Sequence, residues 1–127
     1  MQSIYPVLKY EEAHAAIEFL ESAFGLEPHE VYEGKGGKVD HAQLSFGDQL
    51  LMLSSTGAGN PIFDQGAGTT SVYLAVEEVD ALHDRAAQAG AEIVMPLTDQ
   101  EYGSRDFVAR DPEGNLWCFG TYQPEGG

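Results

Sequence analysis

At 127 residues, 43% apolar and 21% charged, the chain suffices for one compact domain with a core and holds no apolar run near the roughly 20 residues of a membrane span. Six lysines and arginines oppose 21 carboxylates, a net charge of −15 that repels phosphate backbones and anionic lipid, so neither a nucleic-acid nor a membrane partner is expected. Cys118 is the one cysteine, which excludes an internal disulfide and any multi-cysteine zinc site.

The first residues lack a basic stretch followed by an apolar one, so no secretion signal is expected and a cytoplasmic protein is the default. A strand is predicted over 4–10, where apolar residues alternate before Glu11-Glu12. Those acids suit the first turn of a helix whose apolar stripe is Ala13, Ile17, Leu20 and Phe24, closed by Gly25 as C-terminal cap. A strand over 28–32 follows, then irregular chain over 33–38. A hairpin is predicted from 41–46 through Gly47-Asp48 into 49–53. Residues 54–69, rich in Gly, Ser and Thr, read as a linker that could also act as a lid.

The second half repeats this layout. A strand over 72–76 meets Glu77-Glu78, and a helical stripe of Val79, Leu82, Ala86 and Ala89 ends at Gly90. Strands follow over 92–95 and 106–110, and the turn Asp111-Pro112-Glu113-Gly114-Asn115 leads into a last strand over 116–120. The expected organisation is a first module at about 3–54, a linker at about 55–69 and a second module at about 70–123. Alternation then sorts the side chains. Ile4, Pro6, Leu8, Ala42, Leu44, Leu51, Val72, Leu74 and Val76 form apolar sets for the helices to cover. The opposite parity is mixed, with Tyr5, His41, Gln43, Met52, Ser71, Tyr73, Phe107, Ala109 and Cys118, which suits a cavity; plain solvent exposure of that face stays open.

Two βαβββ modules ending in Asp111-Pro112-Glu113-Gly114-Asn115 resemble the vicinal oxygen chelate superfamily, over about residues 4–122. It holds glyoxalase I, extradiol dioxygenases, fosfomycin-resistance enzymes and bleomycin-resistance proteins. The stretch Tyr102-Gly103-Ser104-Arg105-Asp106-Phe107, with Gly120-Thr121-Tyr122, is similar to small glyoxalase/bleomycin-resistance-like members. The resemblance implies an α+β fold, with two tandem modules forming a cup-shaped mixed sheet and the helices on its outer face. It also implies a homodimer. Enzymes of the superfamily hold a divalent metal with His or Gln on the first strand and Glu on the last strand of each module. Carried onto this chain, those positions are Tyr5, Met52, Ser71 and Cys118; 5 to 71 and 52 to 118 are both 66 apart. A phenol, a thioether, a hydroxyl and one thiol do not make a metal site, so no metal and no cofactor are expected.

Ligand contacts are expected from Tyr5, His41, Gln43, Met52, Ser71, Tyr73, Tyr102, Arg105, Phe107 and Cys118. Tyr5 and Tyr73 would stack on a planar ligand or clasp a cation, or else fill the space left by the metal. Arg105 would pair with a ligand carboxylate or phosphate, or with a surface acid. Trp117 and Phe119 have the parity of the helix side. His41 is the one candidate general base, and Cys118 reads as a packing cysteine. No HExxH, nucleophile-elbow or phosphate-cradling spacing occurs. These readings point to a metal-free protein that sequesters an aromatic or cationic small molecule, as in antibiotic resistance. The alternative is a glyoxalase-type lyase or isomerase, or a dioxygenase, with a non-standard metal site.

Overall fold

The computed structural model describes residues 2–63 and 65–122; residue 64 of the linker and the expected module end at 123 lie outside them. The chain runs β1 (Val7–Tyr10), α1 (Ala13–Phe24), β2 (Glu27–Glu33), β3 (Val39–Phe46), β4 (Gln49–Ser55), then β5 (Ser71–Ala75), α2 (Val79–Gln88), β6 (Glu92–Asp99), β7 (Arg105–Arg110) and β8 (Leu116–Gly120). The strands form two four-stranded sheets, ordered β1-β4-β3-β2 and β5-β8-β7-β6. In each, the first strand runs parallel to the last and the other pairs are antiparallel. This is the expected α+β architecture: two tandem βαβββ modules, each sheet a wall of the cup with its helix on the outer side.

Local chemistry sets most boundaries. α1 buries Ala13, Ala16, Ile17, Leu20, Ala23 and Phe24, one stripe at helical spacing, against the sheet. It ends at Gly25, whose φ of 77° is the left-handed conformation that glycine reaches without a Cβ penalty; Leu26 N–H then returns to the Leu20 carbonyl at 3.3 Å. Arg85 of α2 donates to the carbonyls of Glu21 and Ser22 at the same end, so one helix caps the other.

Some boundaries differ from the sequence reading. β1 starts at Val7, not residue 4, because Pro6 has no N–H to give a ladder; the Gln2 side chain instead bonds both the N–H and the C=O of Leu50. Glu11 and Glu12 precede α1 rather than opening it, and their backbone N–H groups point at the Glu113 carboxylate at 2.6 and 2.9 Å. β6 runs on to Asp99 past Pro96, and its pairing with β7 slips there.

The largest correction concerns β7. Phe107 and Ala109 were expected on the open face, yet Phe107 opposes Phe119 and Ala109 opposes Trp117, and all four are fully buried on the helix side. The turn decides this. Gly47-Asp48 is a two-residue turn, so β3 and β4 pair odd with even numbers, Gln43 with Met52. The turn over 111–115 has five residues, so β7 and β8 pair odd with odd. Arg105 shares the parity of Phe107 and so leaves the open face as well.

The covered faces of both sheets meet in one core. Phe24 from α1 reaches Trp117 and Phe119 of the second sheet, with ring centres 5.4 and 4.9 Å apart, and Phe119 stacks on Phe107 at 5.2 Å. Tyr10, at the end of β1, donates its hydroxyl to Asp111 at 2.6 Å. No helix among the described residues is long and apolar enough to cross a membrane.

Candidate functional site

Each sheet keeps one face free of its helix. On the first sheet, Val7 and Met52 are direct partners on β1 and β4, with Gln43 beside Met52 on β3. His41 lies two residues along β3, and the Gln43 amide and the His41 ring are joined at 3.1 Å between their Nε2 atoms. Tyr32 of β2 stacks on His41 with ring centres 6.2 Å apart and gives its hydroxyl to Glu30. That bond, then the charge of Glu30, raises the Tyr32 phenol above its ordinary pKa. Tyr5 lies just before β1 and donates to the Gln2 carbonyl at 3.1 Å. Lys9 and Val7 also line an open recess of about 440 Å³ together with Ala58, Asn60 and Phe63 of the linker.

On the second sheet, Tyr73 and Cys118 are direct partners on β5 and β8, and Ser71 is two residues before Tyr73 on the same face. Val108 continues the row across β7. Beyond it, Asp106 is buried at 4% exposure although it belongs to the open face, because Ser104, Tyr102 and Tyr73 surround it. Ser104 donates a short hydrogen bond to one oxygen of Asp106 and Tyr102 donates to the other at 3.2 Å. Tyr73 gives its hydroxyl to the Tyr122 carbonyl at 2.9 Å, and the Tyr102 and Tyr122 rings meet edge to face at 5.6 Å. Burial, and after it the Asp106 charge, raises the pKa of both the Tyr73 phenol and the Cys118 thiol. Cys118 is therefore held as a thiol, which suits packing rather than nucleophilic attack.

The structure thus places Tyr5, His41, Gln43 and Met52 on one open face, and Ser71, Tyr73, Tyr102 and Cys118 on the other. Arg105 stands apart: its guanidinium bonds Asp80 of α2 at 2.8 Å and Asp99 at 3.2 Å, on the helix side. Phe107 packs edge to face on His83 of α2 at 5.2 Å. Tyr32, Ser104, Asp106 and Tyr122 were missed as site residues. Position 106 was assigned to a strand, and the five-residue turn that puts it on the open face was the available signal.

The superfamily's metal asks for three or four imidazole or carboxylate donors at one point. The positions carried over for that metal hold Tyr5, Met52, Ser71 and Cys118, and the cross-strand partners of Met52 and Cys118 are Val7 and Tyr73. Neither set supplies such donors, and no group of three or more His, Cys, Asp or Glu able to hold an ion occurs among the described residues. The residues present do not fit the metal.

Paired βαβββ modules with a signature turn closing the second define a fold class, the vicinal oxygen chelate fold. The chain belongs to the Glyoxalase/Bleomycin resistance protein/Dioxygenase superfamily, whose model matches residues 6–119. An uncharacterized protein of Mycobacterium bovis is 32% identical over 124 residues, covering 93% of this chain and 82% of that one. Among solved structures, TioX from Micromonospora sp. superposes with a TM-score of 0.81 at 31% identity, covering 95% of this chain and 100% of the other. The bleomycin-binding protein of Streptomyces verticillus, solved with copper(II)-bleomycin, gives 0.68 at 27% identity over 97% and 98% of the two chains.

Proposed function

We propose that this chain is a small-molecule-binding protein that holds an aromatic or cationic compound against its open sheet faces, without metal and without catalysis. The observation that carries this reading is the content of the metal positions: where the superfamily presents imidazole and carboxylate donors this chain has Tyr5, Met52, Ser71 and Cys118, and the cross-strand partners of Met52 and Cys118 are Val7 and Tyr73. Aromatic surface stands around them, with Tyr32 55% and Tyr102 65% exposed. Tyrosine faces favour stacking and cation binding at about 0.5–2 kcal/mol per contact. The likeness to a bleomycin-binding protein supports the same reading.

Two copies would complete the cavity. The helix-covered faces are spent inside the chain, where α1 packs on the second sheet, and both open faces retain exposed aromatic and aliphatic side chains. The proposed assembly is a homodimer in which the open face of one module meets the open face of the other module from the second copy.

A thermal-shift screen against divalent metals and a library of aromatic cations tests the function. Stabilisation by aromatic cations, lost in Tyr73→Ala, is the expected result. Stabilisation by Zn²⁺, Ni²⁺ or Mn²⁺ accompanied by glyoxalase or dioxygenase turnover would sink the metal-free reading and leave the enzyme in its place.

A further inference from the structure

Asp106 is a buried acid with no countercharge. Among the described residues no Lys, Arg or His forms an ion pair with it, and Arg105, its neighbour in sequence, is turned to the helix side. Taking a carboxylate out of water is costly, and neutral hydroxyl donors return only part of that cost. The fold nevertheless makes room for this group. Gly120 lies directly opposite on β8, and a Cβ there would collide with the Asp106 carboxylate and stand 2.7 Å from the Tyr73 hydroxyl. A glycine thus leaves room for a buried acid that has no ion pair among the described residues and lies beside three tyrosines.

The two donors on Asp106 differ. Ser104 is itself 4% exposed, whereas Tyr102 is 65% exposed and its 3.2 Å contact is at the long end for O–H···O. Tyr102 is the replaceable one. We infer that Asp106 is the anchor for a cationic nitrogen of the ligand: an ammonium or amidinium group displaces the Tyr102 hydroxyl, bonds the carboxylate, and lies against the rings of Tyr73, Tyr102 and Tyr122. This rests on the small-molecule reading above and adds the charge of the ligand and the residue that reads it. An anion at this place would meet the carboxylate unscreened, and a neutral donor would leave its charge unbalanced. A proton-transfer role lacks a basic partner, since the Tyr73 phenol and Cys118 thiol beside it are both held protonated.

Three probes of one shape separate the possibilities: 2-naphthylethylammonium, 2-naphthylethanol and 2-naphthylacetate, titrated calorimetrically into the full chain. The ammonium is expected to bind at least about tenfold more tightly than the alcohol, with the acetate weakest. Asp106→Asn should bring the ammonium down to the level of the alcohol and leave the alcohol unchanged, which also shows that the variant is folded. Tyr102→Phe should keep or raise ammonium affinity, because a competing donor is gone, while Tyr102→Ala weakens all three probes. A wild-type protein that binds ammonium no better than alcohol overturns the anchor and leaves the binding cavity standing; so does Asp106→Asn weakening both alike. Binding of none of the three up to their solubility limits overturns the cavity reading itself. Where Asp106→Asn does not fold, the preference of the wild type decides.

Discussion

Asp111 accepts five hydrogen bonds on two oxygens while only 3% exposed: from the N–H groups of Glu113 and Asn115, the Asn115 amide, the Trp117 indole and the Tyr10 phenol. A buried carboxylate so fully bonded stabilises; remove it and five donors lose their partner. Asp111→Ala is expected to cost about 3–5 kcal/mol of stability and Tyr10→Phe about 1–3, read from urea unfolding. The Tyr10 phenol also couples folding to pH. Burial first, and then the Asp111 charge, raises its pKa far above the ordinary 10.0. In the unfolded chain it ionises near that ordinary value, so its contribution is complete below about pH 10 and is lost as pH rises further. Stability measured from pH 8 to 11 should fall at the alkaline end, and Tyr10→Phe should flatten that fall. The sequence showed Asp111 as the head of a turn and a family signature. It could not show the staple, because Tyr10 lies 101 residues away.

At the scale of elements, a turn length decided which side chains can meet a ligand. Apolar spacing and the glycine after each helix made both helices legible, and local alternation served the first hairpin well. The second hairpin misled because its parity was copied from the first across a turn of different length. Phe107 was expected among the cavity residues and is core; Arg105 was expected to meet either a ligand anion or a surface acid, and it bonds the exposed Asp80 and Asp99. These placements separate stability from binding. Phe107→Ala should lower stability by about 3–5 kcal/mol, as a large buried ring lost from a packed core. Arg105→Ala should cost at most about 1 kcal/mol, because its ion pairs are solvent-exposed. Both variants, while folded, should bind naphthylethylammonium like the wild type. An Arg105→Ala protein with weakened affinity would return that residue to the site.

The whole molecule raises the question of where the second wall of each cavity comes from. One chain presents two different open faces, Tyr32 with His41 and Gln43 on one, Tyr73 with Asp106 and Cys118 on the other. If the first face of one copy meets the second face of its partner, a dimer contains two composite sites, each needing both kinds of face. Genetic logic then tests geometry. Tyr32→Ala damages one wall and Tyr73→Ala the other, so each homodimer carries two damaged sites and binds weakly. In a purified heterodimer of the two variants, both lesions fall into one site and the other site is assembled from intact walls. The expected titration is one tight site per two chains, half the wild-type capacity, with the tight site keeping wild-type affinity. A cavity built within a single chain predicts no recovery, because every chain in the mixture carries a lesion. Light scattering supplies the companion measurement, and the charge gives its direction. Two copies at −15 each repel at long range, so the dimer should tighten as salt screens that repulsion. A monomer at every salt concentration, or a heterodimer that binds no better than its parents, removes the composite site.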